Sequence, residues 1–87
     1  PFDSIPHEAL GRLAVEREDH AVAALEFEVA LALGPIDRVS AHVQLAEVYL
    51  AAGRGEDAKR EVMAALEIAP TYERAQDLLL DIVGAGL

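Results

Sequence analysis

The chain matches itself at an offset of 35 residues, and that period leaves few folds open. Pro35 and Pro70 stand 35 apart, as do Leu10 and Leu45, Ala23 and Ala58, Phe27 and Val62, Ala30 and Ala65, Leu31 and Leu66, and His7 and His42. Gly11 meets Ala46 at the same offset. Small residues fall on small ones, large apolar on large apolar, proline on proline. Helix-length segments recurring at this period, with short breaks between them, mean stacked helix hairpins.

The breaks divide the chain into five segments. Proline cannot continue a helix and disfavours helical geometry in the residue before it, so Gly34-Pro35 and Ala69-Pro70 each end one. Gly53-Arg54-Gly55 and the polar run Glu18-Asp19-His20 make the shorter interruptions. The expected helices cover about 6–17, 20–33, 37–52, 56–69 and 72–83. Each carries apolar residues at three-to-four spacing: Leu10, Leu13 and Ala14 in the first, Ala23, Phe27, Ala30 and Leu31 in the second. None alternates with the period of two that a strand needs. Asp3 or Ser4 is placed to cap the first helix ahead of Pro6, and Asp19 the second.

Composition supports one packed unit. Of 87 residues, 53% are hydrophobic and 26% charged, too apolar for a disordered segment. A chain this short buries only about 60% of its unfolded surface, so its stability is modest. The net charge is −9, which repels phosphate and argues against nucleic acid or an anionic membrane surface as partner. There is no cysteine, hence no disulfide, thiolate metal site or cysteine nucleophile. No apolar run approaches the roughly 18 residues of a membrane span, and no signal segment opens the sequence. The compartment is left open, with the cytoplasm favoured slightly. A start at Pro1 points to a piece of a longer protein, with Pro1, 34 residues before Pro35, as the closing proline of an earlier repeat.

In these residues the chain resembles the tetratricopeptide repeat family. The family's signature runs from an aromatic residue through Leu-Gly, Tyr, Ala and Phe to a closing Pro. The first repeat, about 4–37, offers His7, Leu10-Gly11, Ala14, Ala23, Phe27, Ala30 and Pro35; the second, about 39–72, offers His42, Leu45-Ala46, Tyr49, Ala58, Val62, Ala65 and Pro70. Histidine replaces the opening aromatic in both, Ala14 replaces Tyr, Ala46 replaces Gly and Val62 replaces Phe. The resemblance implies an all-α fold, a right-handed α-α superhelix of two helix-turn-helix repeats closed by a capping helix at about 72–83. It also implies a protein–protein interaction module, a scaffold or adaptor rather than an enzyme.

Candidate chemistry is sparse. His7 and His42 occupy equivalent repeat positions and read as substitutes for the signature aromatic, while His20 belongs to a turn. No His-x-x-x-His pair exists, so no metal site or cofactor is expected. Glu16 with Glu18-Asp19, and Glu26 with Glu28, read as solvated acidic faces rather than acid–base pairs. Glu8–Arg12, Arg12–Glu16 and Glu56–Arg60 have the i,i+4 spacing of helix ion pairs. Ser4 and Thr71 read as caps or turn residues, and no nucleophile elbow or phosphate-cradling glycine loop is present. No catalytic residue is therefore assigned.

What remains is surface. In the family the first helix of each pair lines the concave, ligand-facing side. Carried over by repeat position, that face comprises Ile5, Glu8, Arg12, Val15 and Glu16, then Ser40, Val43, Glu47, Leu50 and Ala51. Chaperone-binding members clamp a C-terminal carboxylate with Lys and Asn. Here Glu8, Val43 and Glu47 stand where such a clamp would need them, which excludes it and favours an apolar or basic peptide. The run Leu78-Leu79-Leu80-Asp81-Ile82-Val83 is apolar nearly all round. It points to an oligomer or docking face at Leu78, Leu79, Ile82 and Val83, used for a homodimer or for docking to the rest of the parent chain. Two further readings stay open: an accessory repeat domain at the end of a larger enzyme such as a peptidase, and a homo-oligomerisation unit.

The small residues have a mechanical reason. Ala23 and Ala58 are expected where the two helices of a hairpin cross, because side chains without bulk let backbones approach to the near end of the 8–10 Å range. Ala58→Leu should therefore overpack that crossing by about 1–3 kcal/mol, read as a lowered melting temperature. An unchanged melting temperature would move Ala58 out of the crossing.

Overall fold

The computed structural model describes residues 3–85, so the closing-proline reading of Pro1 and the end of the Gly84-Ala85-Gly86 run lie outside the described residues. Within them are five helices: α1 (Ile5–Glu16), α2 (His20–Ala32), α3 (Arg38–Ala51), α4 (Gly55–Ile68) and α5 (Glu73–Ala85). No strand occurs among the described residues. Each helix packs on the next in sequence, and α3 also touches α5. The result is elongated, 41 × 27 × 17 Å, as stacked hairpins require.

The turns inside the two hairpins are the same turn built from different residues. Asp19 N–H donates to Ala14 O at 2.9 Å, and 35 residues on Arg54 N–H donates to Tyr49 O at 2.8 Å. Glu18 N–H reaches Val15 O, and Gly53 N–H reaches Leu50 O. Both hairpins need a left-handed residue here, and both have one, Glu18 at φ 58° and Gly53 at φ 78°. Glycine takes that conformation without strain, whereas glutamate does not.

The starts of α1, α2 and α3 are satisfied from nearby side chains. Asp3 Oδ1 accepts from Ile5 N–H at 3.0 Å, so Asp3 takes the capping role and Ser4, which is buried, makes no cap bond. Asp19 accepts from Val22 N–H and Asp37 from Ser40 N–H. The Ser40 backbone bond, seconded by its hydroxyl, holds the Asp37 carboxyl below its usual range. Arg54 occupies the cap position of α4 and instead ion-pairs with Asp57 at 2.8 Å.

The core is a row of alanines with a few large residues between them. Ala23, Ala46, Ala58, Ala65 and Ala75 are fully enclosed, and Leu45, Val43 and Val62 are the largest fully buried side chains. One cluster runs unbroken from Ala14 to Ile82. Gly11 shows why bulk is excluded: a Cβ there would lie 2.9 Å from the Phe27 ring. The second hairpin meets the same constraint with Ala46 and Val62, a larger residue on one helix and a smaller one on the other.

That exchange predicts a change of sign. In the parent, Gly11→Ala should destabilise by about 1 kcal/mol, because an overpacking penalty of about 1–3 kcal/mol exceeds alanine's helix advantage of about 1 kcal/mol. In a Phe27→Val background the same substitution should stabilise, since the combination reproduces the second hairpin. Urea titrations of the four proteins measure both signs.

Candidate functional site

A groove opens on the side of the stack formed by the first helix of each hairpin. Arg12, Val15 and Glu16 of α1 form one wall; Gln44, Glu47, Val48 and Ala51 of α3 form the other. His20 and Phe27 of α2 reach it from behind, and Arg74 of α5 joins at one edge. Its volume is about 360 Å³, the small end of the ligand-site range. Phe27 reaches both Gly11 and this groove, so the absent side chain at Gly11 helps place the groove's aromatic surface.

The groove's charges are unequal in their freedom. Arg74 Nη2 donates to Glu47 Oε1 at 2.6 Å, and that bond raises the Arg74 pKa and ties α5 to α3. Among the described residues, neither Arg12 nor Glu16 takes part in an ion pair. The lining thus offers exposed Val15 and Ala51 over a floor of nearly buried Phe27 and Val48, with an unpaired arginine and an unpaired glutamate on the α1 side.

The expected face residues separate into three groups. Arg12, Val15, Glu16 and Glu47 line the groove, as does Ala51, whereas Ile5, Glu8, Ser40 and Leu50 do not. Ser40 is engaged with Asp37 at the start of α3, and Leu50 packs partly buried against the core. Val43 is a correction: it is fully buried in the core and presents nothing to a ligand. Its equivalent Glu8 lies on α1, which has no helix before it among the described residues, and this difference hid the burial. Gln44, Val48, His20, Phe27 and Arg74 were not foreseen. Arg74 meets Glu47 across 27 residues, which no local pattern announces.

The closing helix is corrected in the same way. Leu78 and Ile82 are buried in the core cluster and Leu79 packs partly against it, so these three are not an open docking face. Val83 is exposed, and so is Leu80.

Polar contacts also fall elsewhere than the helix spacing suggests. Glu8–Arg12, Arg12–Glu16 and Glu56–Arg60 do not pair; Arg60 turns to Asp57 instead. Glu26 and Glu28 are not simply solvated. His7 Nδ1 lies 2.8 Å from Glu26 Oε1, and His42 Nδ1 lies 2.8 Å from Glu61 Oε1. A carboxylate can only accept, so Nδ1 carries the hydrogen in both. These two bonds are themselves 35 residues apart and fasten the first helix of each hairpin to its second. Tyr49 donates to Glu28, which joins the second hairpin to the first, and Arg54 stacks 4.3 Å from the Tyr49 ring. Burial, then the Glu28 carboxylate, pushes the Tyr49 hydroxyl pKa well up, so it remains a donor. No cluster of three metal-ligating side chains occurs among the described residues, and no helix among them is long and apolar enough to cross a membrane.

The two histidine–glutamate bonds differ in exposure, and their coupling should follow. Double-mutant cycles with alanine should give about 1 kcal/mol for the more buried His42–Glu61 and about half that for His7–Glu26. Equal couplings would show that burial does not set their strength.

Compared with known proteins, residues 14–82 match a family model, that of the tetratricopeptide repeat. No curated protein matches the chain.

Proposed function

The chain belongs to the tetratricopeptide repeat family, and on that premise we propose that it is a non-catalytic scaffold module holding a peptide segment in the groove between α1 and α3. Repeats of this family generally mediate protein–protein interaction and are typically non-catalytic. The observation that carries the reading is the groove's charge balance. It holds two arginines and two glutamates, so the whole net charge of −9 lies outside it. An apolar, locally neutral cleft on an otherwise acidic molecule suits a ligand with an apolar anchor and basic flanks.

Each part of that ligand has a counterpart. The anchor side chain would sit against Val15 and Ala51, above the nearly buried Phe27 and Val48, where burial of apolar area supplies affinity. A neighbouring lysine or arginine would meet Glu16, the unpaired carboxylate of the lining. Glu47 is less available, because Arg74 already satisfies it. The surrounding acidic field would speed the approach of a basic segment more than it would tighten the complex.

Fluorescence polarisation against short peptides tests this, with basic, neutral and acidic flanks around one leucine or phenylalanine. Basic-flanked peptides should bind tightest. Val15→Glu should weaken them by about tenfold or more without unfolding the chain, since Val15 is exposed. Glu16→Lys should remove the preference for basic flanks. Tighter binding of the acidic-flanked peptide, or no effect of Val15→Glu, would sink the proposal.

A further inference from the structure

Positions 10, 45 and 80 all carry leucine, on α1, α3 and α5 respectively. Leu45 is 2% exposed, whereas Leu10 is 48% and Leu80 is 71% exposed. Three residues on, Val48 is 4% exposed while Leu13 and Val83 are 41% and 49%. The same apolar pair is thus covered on the middle helix, which has helices on both sides, and open on the two outermost helices of the described residues.

Each open pair is flanked by a charge, and the two charges are opposite. From α1, Leu10 and Leu13 run on at steps of three and four to Arg17, the residue that follows its last turn. On α5, Asp77 leads to Leu80 and Val83 at steps of three. Laid antiparallel, Leu13 meets Leu80, Leu10 meets Val83, and Arg17 meets Asp77. All six are exposed, and neither Arg17 nor Asp77 is in an ion pair among the described residues.

We propose that each strip is covered by a second copy of this chain, the α5 strip of one molecule lying on the α1 strip of the next. Charge selects this arrangement over self-pairing. Two α5 strips face to face would bring four carboxylates, Asp77 and Asp81 of each copy, onto one contact with no cation among the strip residues, whereas α5 on α1 sets Asp77 against Arg17. A contact of this kind is heterologous and leaves one free strip at each end, so it grows into rings or open stacks rather than stopping at two. Two apolar residues a side make a small interface, and the association is weak, populated at high protein concentration. It uses no residue of the groove lining, so it stands or falls apart from the ligand proposal.

Sedimentation velocity over a concentration series is the test, with circular dichroism confirming helicity. The parent chain should show species beyond the dimer. Leu13→Glu and Leu80→Glu should each remain monomeric, and an equimolar mixture should form a one-to-one complex and stop there. The first variant keeps its α5 strip and the second keeps its α1 strip, so only one contact can form. Arg17→Asp and Asp77→Arg should each weaken association roughly two- to fivefold, and the double reversal should restore it. These charge variants carry the test if a leucine variant does not fold. A parent chain that stays monomeric at millimolar concentration overturns the proposal. So does a Leu13→Glu protein that associates as well as the parent, or a double reversal no better than its singles.

Discussion

The structure depends on how closely two helices can cross when the side chains between them are almost absent. Ala23 and Ala58 are fully enclosed at equivalent places in the two hairpins, and Ala30 and Ala65 are enclosed one further turn pair along. Alanine buries little area of its own, so its contribution comes from the backbone contacts that close approach allows, many small dispersion gains rather than a few large anchors. The spacing set there fixes what the rest can do. The same two helix pairs are bridged by His7–Glu26 and by His42–Glu61.

The two hairpins solve the same packing problem with different residues, and the differences balance. Gly11 and Phe27 in one become Ala46 and Val62 in the other. Filling a fixed space by moving volume from one helix to its partner preserves the fold more readily than changing either side alone. The turns differ without such compensation: Glu18 holds a left-handed conformation that Gly53 takes freely. The first hairpin therefore keeps a strained position and a well-capped helix at Asp19, while the second has a relaxed turn and an Arg54–Asp57 pair in place of a cap.

Much of this was legible in the sequence because it is local or periodic. Prolines and glycines stop helices through their own backbones, so all five helices could be placed to within two residues. The 35-residue register also contained the histidine–glutamate bonds, since Glu26 and Glu61 share the offset of His7 and His42. Neither bond is evident from one helix alone, because each histidine and its glutamate lie 19 residues apart on different helices. Val43, Leu78 and Ile82 were misplaced for a different reason. Helical spacing tells which residues share a stripe, but the neighbour that covers it belongs to another hairpin. The Arg74–Glu47 bond, the only polar link from α5 to α3 among the described residues, is likewise a product of stacking.

Stacking also links the groove to the stability of the ends. In a helical stack each unit is held by its neighbours, so the outermost helices are the first to loosen. Here α1 and α5 expose the leucines that α3 conceals, and they are also the helices that supply Arg12, Val15, Glu16 and Arg74 to the groove. Val48 of α3 belongs to both features, buried in the core and lining the cleft. A ligand touching both walls would hold α1 against α3, and one that displaced Glu47 from Arg74 would loosen α5. Anything that binds the assembled stack more tightly than the frayed one shifts that balance by its own affinity. A ligand in the cleft would therefore be coupled to how firmly α1 packs, because α1 supplies one wall of the cleft and is also an outermost helix of the described residues.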